Sequence, residues 1–209
     1  MSDDTRTMRE RMLAGEPYIA DDPDLERESL AARDLCHRIN QLVPSDKQTR
    51  RDLFRELLGS VGDDTEIRAP FHCDYGYQTT IGAHTFINFG LMCLDVARIT
   101  IGDHVQIGPN VQLLTPTHPI DPDLRRQEWE GAQPITIGDN VWLGGGVIVC
   151  PGVTIGENTV VGAGSVVVGD LPADVVAVGT PARVVRRLTD DDPSAAGSRT
   201  SLPLITPGR

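Results

Sequence analysis

The sequence predicts an all-β chain wound as a parallel β-helix of six-residue repeats, with a small α-helical cap at its N-terminal end. Three observations predict it. An aliphatic residue recurs every six positions from Ile137 to Val167. Only 4% of the residues are aromatic while 21 are glycine, which points to stacked small and β-branched side chains in place of a core built on large rings. Helical spacing of apolar residues is confined to positions 6–60.

The marks Ile137, Leu143, Val149, Ile155, Val161 and Val167 are usually followed by glycine, as in IGDNVW, LGGGVI, IGENTV and VGAGSV. Positions two before a mark, Val141, Val147, Val153, Thr159 and Ser165, are also small or apolar. A local period of two places both on one face of a short strand. Glycine after the mark suits a corner that needs positive φ or a close backbone approach. The register extends upstream through Ile101, Ile107 and Leu113, because Ile137 lies 36 residues, or six repeats, beyond Ile101. Before that come Ile81, Ile87 and Cys93, then Ile67 and Cys73, each block offset by eight. Two-residue insertions near 77–80 and 95–98 account for the slips and predict bulged corners. Coils stacked at a strand spacing of about 4.8 Å would bury the marks as internal ladders.

Segment 114–133 is polar, contains prolines and lacks the repeat, yet the register resumes at Ile137. It reads as an excursion loop from the β-helix domain, 61–188, and loops on a rigid scaffold are where chemistry is often carried. The cap, 6–60, has helical spacing at Leu25, Leu30, Leu35, Ile39 and Leu42, and again at Leu53, Phe54, Leu57 and Leu58. Pro44–Asp46 breaks that run, with Ser45 the expected N-cap of the last of two or three helices. Residues 189–209, rich in Ser, Pro, Gly and Asp, predict a mobile tail.

A net charge of -11 and a pI near 4.8 argue against nucleic acid or an acidic membrane surface as partner. The first residues, MSDDTRTMRERMLAGE, lack an apolar export segment, and no stretch has the length of apolar sequence that spans a bilayer. A cytoplasmic location is the expectation. Cys36, Cys73, Cys93 and Cys150 show no CxxC spacing and read as small buried thiols.

The repeat IGDNVWLGGGVIVCPGVTIGENTVVGAGSVV resembles the hexapeptide-repeat acyltransferases. More narrowly, AGEPY, FHCDYGYQTTIG, INFG, the pair Leu94–Asp95, THPID, PITIGDNVWLG and GTPARVVRRL together resemble the maltose and galactoside O-acetyltransferases, from about residue 6 to 188. The resemblance implies a left-handed parallel β-helix, a homotrimer, active sites in clefts between subunits, and acetyl-CoA as cosubstrate with no bound cofactor. The reaction it implies is acetyl transfer to a sugar hydroxyl.

Within that resemblance, His118 in THPID is the general base, since imidazole titrates near working pH and an alcohol must lose its proton to attack a thioester. Glu130 matches an acidic position that orients the imidazole or accepts a sugar hydroxyl; a plain solvated loop glutamate is the competing reading. Asp74, Asn88 and Asp95 match acceptor-contacting positions, with corner capping the rival role for the two aspartates. Tyr75 and Tyr77 either wall the site or simply pack. Trp142, Gly145 and Ala163 match the pantetheine tunnel, and Arg183 and Arg186 match phosphate contacts, against a solvated terminal face. Val168–Gly169 stand where family members often carry Thr-Lys, so a phosphate contact is missing unless Arg187 supplies it.

No metal is expected. His84 and His104 occupy equivalent turn positions and His37 lies in the cap; solvated residues are the reading for these, while His72 has no assigned role. A zinc-dependent carbonic anhydrase-like β-helix is kept as an alternative because turn histidines from stacked coils can meet. A non-catalytic β-helix binding module is the other alternative.

Overall fold

A computed structural model describes residues 5–188; the expected tail, 189–209, lies outside the described residues. From Ser60 onward the chain winds as a parallel β-helix with three flat faces. Face one stacks Ser60–Val61, Thr79–Ile81, Ile99–Ile101, Ile135–Ile137 and Thr154–Ile155. Face two stacks Glu66–Ile67, Phe86–Ile87, Gln106–Ile107, Trp142–Leu143, Val160–Val161 and Val175–Gly179, and ends on the antiparallel strand Ala182–Arg187. Face three stacks Phe71–Cys73, Leu91–Leu94, Gln112–Leu114, Ile148–Val149 and Val166–Val167.

The predicted marks are the interior ladders. Val61, Ile81, Ile101, Ile137 and Ile155 lie in register on face one. Ile67, Ile87, Ile107, Leu143, Val161 and Ala177 do so on face two, and Cys73, Cys93, Leu113, Val149 and Val167 on face three. Val141, Val147, Val153, Thr159 and Ser165 are buried beside them. Cys36, Cys73 and Cys93 are buried free thiols, and Cys150 is half-buried.

One piece of the register has a different origin from the one read in the sequence. Ile101 and Ile137 are direct partners on adjacent coils, so the 36 positions between them hold one coil and the excursion, not six repeats. The excursion happens to be as long as a coil and leaves the numerical phase intact. The two eight-residue offsets do fall at corners, between Cys73 and Thr79 and between Leu94 and Ile99.

Of the two roles expected for the corner glycines, the structure shows the close approach, and positive φ falls on other residues. Positive φ is carried between faces one and two by Asp64, His84, His104, Asn140, Asn158 and Asp174, residue types that tolerate the left-handed region. Their side chains stack: Asn140 donates to Asn158 at 2.9 Å, Asn158 to Asp174 at 2.8 Å, and the His84 and His104 rings lie 4.9 Å apart. Glycine directly after a mark serves the close approach instead. A Cβ on Gly144 would sit 2.5 Å from the Ala163 nitrogen of the next coil.

The cap comprises α1 (Met8–Leu13), the short strand Tyr18–Ile19, α2 (Pro23–Gln41) and α3 (Lys47–Leu57). Asp22 caps α2 through Asp24 N and Leu25 N. For α3 the cap is Asp46, not Ser45, its carboxylate accepting from Thr49 N at 3.2 Å; a carboxylate at this position also complements the helix dipole. Ile39, Leu53, Phe54 and Leu57 face the first coils, with the Phe54 and Phe71 rings edge to face at 5.3 Å. No helix of the described residues is long and apolar enough to cross a membrane.

Candidate active site

The excursion is an ordered structure and not a plain loop. Its base is fixed by buried Thr115, whose hydroxyl donates to Leu94 O at 2.6 Å and accepts from Ala97 N at 2.9 Å, while Gln133 N returns to Thr115 O at 3.0 Å. The strands Pro116–Thr117 and Trp129–Ala132 then pair antiparallel. The cap strand Tyr18–Ile19 adds to the other edge of Trp129–Ala132, placing Tyr18 opposite Glu130 and Ile19 opposite Trp129. Between the two excursion strands, α4 (Pro122–Arg126) is capped by Asp121, which accepts from Asp123 N and Leu124 N. Arg125 ties the loop down by donating to Pro119 O at 2.8 Å and Ile120 O at 3.1 Å.

His118 stands at the open end of this small sheet, 56% exposed at its side chain, with Nδ1 3.7 Å from Glu130 Oε1. That is longer than a hydrogen bond. The other Glu130 oxygen accepts from the Tyr18 hydroxyl at 2.5 Å. Tyr18 is buried, and burial together with Glu130 pushes its phenol far above the ordinary range, so it acts as a donor. Two open clefts flank His118. One is polar, lined by Ala20, Asp21, Arg125, Glu128 and Glu130, and the other is apolar, lined chiefly by Pro17, Pro119, Leu124 and Trp129.

Asp74 and Asp95 occupy the same corner, between faces three and one. Asp95 is fully buried; Oδ1 accepts from Asp74 N at 3.1 Å and Tyr75 N at 2.9 Å, and Oδ2 from Thr79 Oγ1 at 3.0 Å. It therefore shapes the turn that presents Asp74. Half-buried Asp74 is pushed up to about 6, first by burial, then by Asp95 and Glu130, with Arg33 opposing. Tyr75 and Tyr77 pack on each other at 5.7 Å, and Tyr77 donates to Glu28 at 2.8 Å.

A stability consequence follows from Asp74. A carboxyl whose folded pKa is raised stabilises the fold below its unfolded value near 4, and that contribution is lost as pH rises through about 6. Asp74→Asn is therefore expected to raise the thermal midpoint at pH ~8 and leave it nearly unchanged at pH ~4. An equal shift at both pH values in a melting experiment would contradict this.

Asn88, Gly145 and Ala163 lie on a different corner, between faces two and three. There Gly146 N donates to Pro109 O at 2.8 Å and Gly164 N to Gly145 O at 2.9 Å, aligning Pro109, Gly145 and Ala163 down successive coils. Asn88 turns its amide oxygen onto Phe89 N at 2.9 Å. Trp142 stands on face two between Gln106 and Val160, 44% exposed. Arg183, beside the turn after Val175–Gly179, and Arg186 are exposed on the terminal strand; Val168 and Gly169, just past Val166–Val167, are exposed as well. Within one chain, face three separates this row from His118.

The structure places Glu130 beside His118, where the sequence leaves a solvated loop glutamate equally open, and it gives Tyr18 of AGEPY a partner that only the strand pairing reveals. His84 and His104 are exposed, with His84 Nδ1 3.8 Å from Asp64. Among the described residues, no group of three or more His, Cys, Asp or Glu is placed to hold a metal.

Residues 11–62 match the family model described as the maltose acetyltransferase hexapeptide capping motif, and 134–169 match the bacterial transferase hexapeptide, six repeats. Nodulation protein L of Rhizobium meliloti (strain 1021) is 49% identical over 180 residues, covering 86% of this chain and 98% of that protein. A maltose O-acetyltransferase structure from Clostridium difficile 630 superposes with a TM-score of 0.87 at 44% identity, covering 88% of this chain and 99% of the other. A galactoside acetyltransferase solved in complex with coenzyme A gives 0.85 at 40% identity, covering 90% and 94%. With the cap, the coils and the excursion all matched over nearly the whole length of these proteins, the chain belongs to the maltose and galactoside O-acetyltransferase family of hexapeptide-repeat acetyltransferases.

Proposed function

We propose that this acetyltransferase moves acetyl from acetyl-CoA to a hydroxyl of a sugar, of the maltose, glucose or galactoside kind, by direct attack with His118 as general base. The observation that carries the reading is the placement of His118 beside Glu130 at the mouth of a cleft lined by charged side chains. With Glu130 beside Nδ1, Nε2 is the nitrogen left to take the acceptor proton. The acceptor oxygen then attacks the thioester carbon, the tetrahedral oxyanion collapses, and the C–S bond breaks. His118 returns its proton to the departing thiolate, so no acyl-enzyme forms.

Asp74 and Asn88 grip acceptor hydroxyls, and Asp95 acts behind Asp74 by holding its turn. Trp142, Gly145 and Ala163 line the pantetheine arm, and Arg183 and Arg186 meet its phosphates. Because the row on the second corner is separated from His118 within one chain, the reading requires a neighbouring copy to bring the two together, in a homotrimer. A cytoplasmic location agrees with an acetyl-CoA donor.

A thiol-release assay with acetyl-CoA across a panel of mono- and disaccharides tests donor and acceptor together. Thiol release that depends on a sugar is the expected result. Acetyl-CoA binding without transfer to any sugar in the panel would overturn the acceptor class, and absence of coenzyme binding would overturn the donor.

A further inference from the structure

We propose that Tyr18, delivered by the N-terminal cap, is a positioning residue for the acetyl-transfer reaction: it holds one oxygen of Glu130 so that the other faces His118. The inference rests on the reading of His118 as the base. Its geometry is independent of that reading.

Three features carry it. The backbone of Tyr18 lies directly opposite Glu130 in an antiparallel pair, the arrangement that puts two side chains on one face of a sheet. The hydroxyl donates to Glu130 Oε2 at 2.5 Å, and Oε1 lies 3.7 Å from His118 Nδ1. The ring itself cannot drift, since Tyr18 is 1% exposed and shares a cluster with Met12, Leu25 and Val96. A hydrogen bond to a charged acceptor is among the stronger ones, and here it removes rotational freedom from a glutamate that is otherwise half-buried.

Without that donor, Glu130 has a different partner within the cleft. Arg125 lines the same polar cleft, and a carboxylate released from Tyr18 can turn toward it and away from His118. The cap is thus part of the site as well as a cover for the first coils. Its strand supplies the third member of a Tyr18–Glu130–His118 relay of orientation, with the proton transfer confined to His118.

Tyr18→Phe removes the hydroxyl and keeps the ring. It is expected to lower kcat roughly 10-fold and to leave KM for acetyl-CoA and for the sugar within about twofold, since neither substrate touches Tyr18 under this reading. In a Glu130→Gln background the same substitution should change kcat by less than about twofold, because the group it positions is already altered. A substrate-free readout separates this from the function itself: 15N-detected spectra of the His118 imidazole at about pH 8 report its tautomer populations, with the resonance assigned by His118→Ala. Both Tyr18→Phe and Glu130→Gln should move those populations in the same direction. Unchanged kcat in Tyr18→Phe, a full multiplicative loss in the double variant, or an unmoved tautomer spectrum would each overturn the proposal. If wild-type protein transfers acetyl to no sugar while the spectrum shifts as expected, the acceptor assignment fails and the coupling of Tyr18 to His118 stands.

Discussion

His118→Ala is expected to lower turnover roughly 100-fold to 10,000-fold, the scale for losing a general base. The thermal midpoint should stay close to wild type. The two expectations belong together because the His118 side chain is 56% exposed and supports no part of the core, whereas the excursion around it is held by Thr115, Asp121 and Arg125. A loss of activity with unchanged melting therefore reports on chemistry. The acceptor hydroxyl is a poor nucleophile, and the cleft beside His118 offers carboxylates and Arg125 as its other charged groups. Turnover equal to wild type in purified His118→Ala, under saturating substrates, would remove His118 from the reaction.

Leu143→Ala is expected to cost about 3 kcal/mol of stability, in the middle of the range for truncating a fully buried leucine. For a chain of this size that corresponds to a drop of roughly 6–12 °C in thermal midpoint. Leu143 is 0% exposed and is stacked between Ile107 below and Val161 above. Truncation opens a void that the neighbouring coils cannot close without moving backbone, and Gly144 already places the two coils in contact at the adjoining corner. Trp142→Ala makes the internal comparison. It changes the neighbouring residue of the same strand, but its side chain points outward and is 44% exposed, so melting should change little while KM for acetyl-CoA rises. Equal melting of Leu143→Ala and wild type would contradict the ladder account.

The ladders were legible because each coil repeats one demand. Every interior position must be small or aliphatic, and every close corner must omit a Cβ, so the demand recurs at fixed spacing in Ile137, Leu143, Val149 and Gly144. The corner that needs positive φ was legible only in part. Asp, His and Asn fill it in turn, and three residue types at one position weaken the pattern.

The excursion was legible as an interruption, not as a structure. Its strands pair with each other and with Tyr18, more than a hundred positions away, and contacts of that separation leave no periodicity. The same holds for Asp95, which the family resemblance makes a sugar ligand, with a corner cap as the rival, until its burial and its three hydrogen bonds are seen.

The sequence by itself determined the β-helix, its coil marks, the helical cap and the histidine of the excursion, since each is written in local spacing or in a contiguous motif. Tertiary structure alone decided that Ile101 lies against Ile137, that Asp46 caps α3, and that Tyr18 meets Glu130. These are matters of which distant segments touch, and they depend on where the folded coils bring backbone and side chains together, not on spacing along the chain.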